Sequence, residues 1–131
     1  MNYSQLQIET LLDGKLQIAY LNQPETYNSL NKILLKELRT FVHEGSKNPE
    51  VRCLAISGRG KAFCSGQNLK EALSMGDTED DRIIQRMVID YYNPLVKEIA
   101  DARKPVISLV NGPAVGAGAM LALICDISLA T

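Results

Sequence analysis

Two short apolar runs, each followed by a glycine-containing loop and a helical pattern, constrain the fold of this chain more than any other feature. The runs cover residues 51–57 and 106–110 and are rich in the aliphatic residues of buried strands. With a last strand at 127–130, the order makes two consecutive βαβ units. The sequence therefore predicts an α/β fold with a parallel sheet. Both glycine loops are then expected at the carboxyl edge, where such sheets bind ligands.

The remaining segments fit around that sheet. Residues 6–20 alternate between apolar and polar on either side of an Asp-Gly pair, which is a strong hairpin signal. Residues 30–42 show helical spacing, with Asn28 or Ser29 as the expected N-cap. A second helical pattern covers residues 84–99, and Pro94 is expected to kink or restart it.

The composition excludes several classes of protein. The chain has 131 residues, 46% hydrophobic, and its 14 Lys and Arg residues nearly balance 15 Asp and Glu residues. Disordered tails lack this hydrophobicity, and a pI of about 5.8 gives no electrostatic case for nucleic-acid binding. No apolar run reaches the roughly 20 residues that span a bilayer, so no membrane partner is predicted. Residues 1–5 resemble neither a signal peptide nor a transit segment, which predicts a cytoplasmic location.

Cysteine and histidine offer little for metal or redox chemistry. Cys53, Cys64 and Cys125 are an odd number at unrelated spacings, which predicts free thiols rather than a disulfide framework or a metal cluster. His43 is the single histidine and lies near the end of a predicted helix, where we interpret it as a solvated side chain or as one that interacts with the C-terminal helix dipole. The sequence therefore predicts no metal site.

The two glycine loops, residues 58–69 and 111–118, are the candidates for chemistry. They match neither the phosphate-binding P-loop, because Gly60-Lys61 is followed by Ala62, nor the dinucleotide pattern of spaced glycines. Their small residues allow backbone N–H groups to approach a ligand closely. Two converging N–H groups make an oxyanion hole, in which each donor is worth about 2.7–4 kcal/mol. Two tight strand-to-helix turns explain the same residues without a function, so both interpretations stay open at this point.

These loops carry a family resemblance. The stretches 62–69 and 104–118 resemble the enoyl-CoA hydratase/isomerase (crotonase) family, and residues 22–24 and 28–31 resemble its first substrate-contacting loop. The resemblance covers essentially the whole chain. It implies the crotonase-like (ClpP/crotonase) fold with its ββα spiral core. Residues 1–131 would be the truncated N-terminal portion of that domain, with the C-terminal part absent.

The resemblance also implies roles for individual residues. Family members bind a CoA thioester and polarise its carbonyl with two backbone N–H groups, so that an enolate forms. Matched onto this sequence, the donors are those of Gln67 and Ala117. Ser65 and Gln67 would contact the adenine and Tyr27 the pantetheine arm. Lys70 would reach a CoA phosphate, although solvated surface explains a lone lysine equally well. With two positions discussed below, Asn68 and Met120, the candidate substrate-binding residues are Tyr27, Ser65, Gln67, Asn68, Lys70 and Met120. No cofactor is implied, because CoA is part of the substrate.

Two positions depart from the hydratase pattern. Hydratases of the family place a glutamate three residues beyond the second donor, where this chain has Met120. Methionine cannot act as acid or base, so we interpret Met120 as lining an apolar acyl pocket. Asn68 stands where the family usually has Asp, and we interpret it as an orienting or capping residue. Residues 117–120 and 91–96 resemble most nearly the ring-opening isomerases of phenylacetate catabolism.

No carboxylate of the chain is assigned as the catalytic base. Asp126 begins a strand and is interpreted as structural. An acidic cluster on a predicted lid is interpreted as solvated loop: Glu71, Asp77, Glu79, Asp80 and Asp81. The base is expected from beyond Thr131.

Three functions follow as hypotheses. The leading one is an enoyl-CoA isomerase acting through an enolate, in fatty acid metabolism or phenylacetate catabolism. The second is an enoyl-CoA hydratase, a lyase with a displaced carboxylate, and the third is an inactive acyl-CoA-binding fragment. A serine hydrolase is disfavoured, because Ala119 or Met120 stands where it would need Ser. The family resemblance implies a homotrimer or hexamer for the full-length form.

Overall fold

The computed structural model describes residues 2–74 and 81–131, and a five-stranded sheet lies at its centre. Its strands lie side by side in chain order: β1 (Leu6–Leu11), β2 (Leu16–Leu21), β3 (Cys53–Gly58), β4 (Val106–Val110) and β5 (Ile127–Ala130). β1 and β2 are antiparallel, as the predicted hairpin requires, and every later pair is parallel. The parallel sheet predicted from the two βαβ units is therefore confirmed.

Helices connect the parallel strands. They are α1 (Lys32–Lys47), α2 (Leu69–Ser74), α3 (Asp81–Met87), a π-helix (Val88–Tyr92), α4 (Asn93–Ala100) and α5 (Ala117–Leu123), with a short 3-10 turn at Pro24–Thr26. The apolar face of α1 is buried through Leu34, Leu35, Leu38, Phe41 and Val42. Full burial of one such side chain contributes about 1.5–3 kcal/mol. The core lies between the sheet, α1 and the buried positions Leu95 and Ile99 of α4.

The first helix begins later than its local sequence suggests. Its N-cap is Asn31, whose side-chain oxygen accepts a hydrogen bond of 2.8 Å from the Leu34 N–H. The Glu71 carboxylate accepts the Lys32 N–H at 3.0 Å. The predicted cap at Asn28 or Ser29 is wrong. The helix ends at Lys47, before the Asn-Pro pair, as expected.

A widened turn divides the second predicted helix. Pro94 has no N–H and cannot donate to the carbonyl of Asp90 one turn back. The preceding Asn93 N–H instead bonds to the carbonyl of Val88, five residues earlier, which is the π-helical pattern. The kink or restart expected at Pro94 is confirmed, and it takes the form of this extra-residue turn.

Asn28 fastens the loop after β2 to the loop after β3. Its fully buried side chain accepts from the Gln23 N–H at 2.8 Å and donates to the carbonyls of Arg59 at 2.9 Å and Ala62 at 3.0 Å. The amide of Asn111, from the loop after β4, also donates to the Ala62 carbonyl at 3.3 Å. The Ala62 carbonyl, in the loop after β3, thus accepts hydrogen bonds from the loops after β2 and β4, and the three loops are joined at the carboxyl edge of the sheet. These bonds explain why Asn28 is not free to cap α1.

We predict that Asn28→Ala lowers the free energy of unfolding by about 2–4 kcal/mol, because it removes three hydrogen bonds made by a fully buried side chain. The matched control is Asn31→Ala, which removes a helix cap and costs about 1 kcal/mol. Urea-unfolding midpoints of both variants, measured with the same protein preparation, check the difference. Equal losses for the two variants would contradict the role assigned to Asn28.

Candidate active site

The loops that follow β3 and β4 pair along their backbones. The carbonyl of Pro113 accepts hydrogen bonds from the N–H groups of Phe63 at 3.0 Å and Cys64 at 3.3 Å. The Val115 N–H donates in return to the Cys64 carbonyl at 3.0 Å. The two glycine loops, which the sequence predicts at one edge of the sheet, are therefore in direct contact.

Two glycines allow this close approach. A Cβ atom on Gly118 would lie 2.2 Å from the carbonyl oxygen of Cys64, which no side chain tolerates. Gly66 has φ +100°, and a Cβ atom there would lie 2.9 Å from the Val115 carbonyl and 3.7 Å from the Ala117 nitrogen. Only a residue without a Cβ atom fits at either position without moving backbone.

Gln67 lies in the loop after β3 and Ala117 follows the loop after β4, and each carries one of the backbone N–H groups that the family resemblance assigns as donors. The Gly66 carbonyl accepts the Leu30 N–H at 2.7 Å. Because a trans peptide points its C=O and N–H in opposite directions, the N–H of Gln67 is directed away from Leu30. Ala117 is the first residue of α5, where helical N–H groups lack intrahelical acceptors. Across residues 2–74 and 81–131, neither of these two N–H groups donates a hydrogen bond.

Both residues line a cavity of about 560 Å³, a size typical of small-molecule sites. The rest of its wall is formed by Ile84, Met87, Val88, Tyr92, Asn93, Val96, Gly116 and Met120. Aliphatic and thioether side chains dominate this set. Met120 thus lies on the wall of an apolar cavity, as we expected, and its contact with an acyl group stays a prediction.

Tyr92 is the single ionisable side chain among these lining residues, all of which the structure describes. Its hydroxyl donates to the side-chain oxygen of Gln67. Burial, with smaller effects of Cys64 and Glu71, raises the pKa of Tyr92 to about 12. Tyr92 is therefore a neutral donor near pH 7 and not a base. The sequence interpretation missed it, although its place directly before an Asn-Pro pair marked a disturbed helix.

The residues predicted to contact CoA lie in two places. The Ser65 N–H donates to the Tyr27 carbonyl at 3.0 Å, and the Ser65 hydroxyl donates to the Thr26 carbonyl at 3.0 Å. Tyr27 is 57% exposed, and Lys70 is exposed in the first turn of α2. Tyr27, Ser65 and Lys70 are not among the residues that line the cavity. Their roles toward CoA stay predictions.

Asn68 and Glu71 organise the start of α2. The Asn68 oxygen accepts the Glu71 N–H at 3.0 Å, and its amide donates to the Ser29 hydroxyl at 3.2 Å. The capping role expected of Asn68 is confirmed, and contact with substrate stays a prediction. Because Glu71 binds the N-terminus of α1 at Lys32, its interpretation as a solvated lid residue is wrong. The cluster members Asp77, Glu79 and Asp80 lie outside the described residues.

The other titratable candidates stabilise the fold. The Asp126 carboxylate accepts the Val106 N–H at 2.8 Å, which confirms its structural interpretation. His43 contacts Glu98 at the surface, between α1 and α4. Neither residue lines the cavity.

The cysteines Cys53, Cys64 and Cys125 are free thiols, as predicted. In the part of the chain that the structure describes, no group of three His, Cys, Asp or Glu residues converges as a metal site requires. No helix within that part has the length and apolar character needed to cross a membrane.

Known proteins share this sequence and fold. The family model for enoyl-CoA hydratase/isomerase matches residues 14–131. The 1,2-epoxyphenylacetyl-CoA isomerase of Escherichia coli (strain K12) is 40% identical over 110 residues, which are 84% of this chain and 42% of that protein. Enoyl-CoA hydratase domain-containing protein 3, mitochondrial, of Danio rerio is 35% identical over 118 residues, 90% of this chain and 39% of that protein.

A solved structure with an enoyl-CoA hydratase/isomerase name also matches this fold. The crystal structure of an enoyl-CoA hydratase/isomerase from Mycobacterium paratuberculosis matches with a TM-score of 0.81 and 30% identity. The match covers 96% of this chain and 49% of that chain. The present chain thus spans less than half the length of these relatives.

We predict that Gly118→Ala destabilises the protein by about 1–3 kcal/mol, because its methyl group would overpack against the Cys64 carbonyl. Helix propensity alone predicts the opposite sign, since Ala is favoured over Gly by about 1 kcal/mol inside a helix. Thermal unfolding of the variant beside the unchanged protein checks the sign. A stabilised variant would contradict the contact between the two loops.

We predict that Cys64 resists alkylation. Burial raises the pKa of its thiol to about 11, so at pH 8 only about one thousandth of it is thiolate, the reactive form. Its modification by iodoacetamide, mapped by mass spectrometry, should lag behind that of half-buried Cys53 and accelerate as the pH rises toward 11. The same reaction in guanidinium chloride, where both thiols are exposed, is the control. Equal rates in the folded protein would contradict this environment.

Proposed function

This chain belongs to the enoyl-CoA hydratase/isomerase family, and from that membership we propose that the protein carrying it acts on the thioester carbonyl of an enoyl-CoA. Its fold is the α/β crotonase-like fold. One observation carries the proposal for this site: within the described residues the N–H groups of Gln67 and Ala117 donate no hydrogen bond, and both residues line the same apolar cavity.

These two donors suit the charge that develops on a thioester oxygen. Removing a proton from the carbon next to the thioester gives an enolate, whose negative charge lies largely on that oxygen. Two fixed N–H groups stabilise it by about 2.7–4 kcal/mol each, and an apolar wall strengthens the interaction by excluding water. The site residues therefore hold the oxygen, while the proton must move to another group.

We propose that this group lies outside residues 1–131. Among the lining residues that the structure describes, Tyr92 is the sole ionisable one, and its raised pKa of about 12 keeps it protonated. In this proposal the chain is the N-terminal portion of a longer crotonase-like domain, and the rest of that domain supplies a carboxylate base. The Tyr27, Ser65 and Lys70 contacts with CoA, the trimer or hexamer and the cytoplasmic location belong to this proposal as predictions.

Isomerisation is the reaction that the cavity supports best. Hydration needs a group that activates water, and Met120 occupies the position at which hydratases of the family carry a glutamate. A single base can move a proton between two carbons of one enolate. The 40% identical relative named 1,2-epoxyphenylacetyl-CoA isomerase favours this branch, with phenylacetate catabolism as the pathway and fatty acid metabolism as the alternative. Hydration is the second candidate, because the Danio rerio relative carries a hydratase name.

We predict that the whole protein converts a 3-enoyl-CoA to the conjugated 2-enoyl-CoA at least about tenfold faster than it hydrates a 2-enoyl-CoA. Ultraviolet absorbance follows the conjugated thioester, and mass spectrometry detects the added water. A saturated acyl-CoA serves as the control for binding without reaction, measured by calorimetry. Rapid hydration would contradict the isomerase assignment, binding without turnover would indicate an acyl-CoA-binding protein, and absence of binding would overturn both.

A further inference from the structure

Gln67 is held through its backbone and through its side chain, and on its C-terminal side the Asn68 N–H donates to the Leu30 carbonyl at 2.8 Å. On its N-terminal side, the Leu30 N–H fixes the Gly66 carbonyl at 2.7 Å and thereby orients the peptide that carries the Gln67 N–H. On its side-chain end, the Tyr92 hydroxyl donates to the Gln67 oxygen. The contacts with Leu30 act through the backbone, and the contact with Tyr92 acts across the cavity wall.

The side-chain contact with Tyr92 adds to the restraint that the backbone contacts provide. Gly66 lies at φ +100° and has no Cβ atom, so its own backbone torsions are less restricted than those of any other residue type, and the hydrogen bond from Leu30 is what orients the Gly66–Gln67 peptide. A shift or tilt of the Gln67 backbone would move its N–H and its side chain together. A side chain anchored on a helix opposes that movement.

The π-helix presents Tyr92 for this contact. Two adjacent tyrosines end it, and they face different surroundings. The ring of Tyr91 lies under the ammonium groups of Lys32 at 5.7 Å and Lys36 at 5.6 Å, whereas Tyr92 lines the cavity. Single π turns occur frequently at functional sites, because the extra residue redirects side chains.

We propose that Tyr92 is a positioning residue that holds the Gln67 N–H directed at the thioester oxygen by fixing the Gln67 side chain. The inference rests on the proposed function, in which that N–H polarises the carbonyl. Tyr92 remains a neutral donor throughout the reaction and takes no part in proton transfer. Its effect reaches the substrate only through Gln67.

The first test compares Tyr92→Phe with Tyr91→Phe in the whole protein. Each variant loses one hydroxyl and keeps its ring. Loss of one hydrogen bond at Tyr92 should lower kcat about tenfold while KM stays within about twofold, because substrate binding is largely retained. Tyr91→Phe should leave both constants unchanged. A Tyr92→Phe variant with normal kcat would overturn the inference.

The second test asks whether Tyr92 acts through Gln67. Gln67→Leu keeps the backbone N–H and removes the side-chain acceptor. In that background, adding Tyr92→Phe should cause no further loss of kcat, because the two groups act as one unit. A further loss of about tenfold would show that Tyr92 acts independently of Gln67 and would overturn the inference.

The third test measures the polarisation of the thioester carbonyl directly. Butyryl-CoA labelled with 13C at the thioester carbonyl is bound to each variant, and its infrared stretch reports polarisation without turnover. The stretch should shift back toward that of free butyryl-CoA in Tyr92→Phe and not in Tyr91→Phe. An unpolarised carbonyl in the unchanged protein would overturn the proposed function and this inference together. Normal polarisation in every variant would overturn this inference alone.

Discussion

The carbonyl of Pro113 accepts two N–H groups from the loop after β3, and the arrangement of the whole site depends on that contact. It joins two loops that are far apart in sequence. It therefore fixes the position of the Gln67 N–H relative to that of the Ala117 N–H. The glycine at Gly118 makes the contact possible, because any side chain there would meet the Cys64 carbonyl. In the proposed function, the two N–H groups are thus placed before a substrate arrives, which is the condition under which backbone dipoles stabilise charge most effectively.

Periodicity predicted most of the fold, because the strands and helices are built from regular apolar patterns. The five strands, the antiparallel hairpin, the parallel pairing of the later strands and the division near Pro94 follow from local sequence. The N-cap of α1 did not, since Asn28, Ser29 and Asn31 have similar capping propensity and only the loop packing decides between them. Asn28 is used by the neighbouring loops, which leaves Asn31 to cap the helix.

The candidate site was predictable in part. Strand order placed the glycine loops at one edge, but the donor roles predicted for Gln67 and Ala117 come from the family resemblance rather than from spacing. Tyr92 was missed because an amphipathic pattern treats every helix as having 3.6 residues per turn, and a π turn changes that phase. Glu71 was misread because its partner, the N-terminus of α1, lies 39 residues away in sequence.

The π turn has a consequence for how the cavity can vary. It inserts one residue without breaking the helical path, so the segments before and after it are out of phase by about 100°. After the turn, Leu95 and Ile99 face the core, whereas Ile84 and Val88 line the cavity and remain largely exposed. Side chains at these earlier positions can therefore change in size without repacking α4 against α1. The size of the cavity can thus be altered at Ile84 and Val88, whereas Met87 belongs both to the cavity wall and to the buried core and is fixed by both.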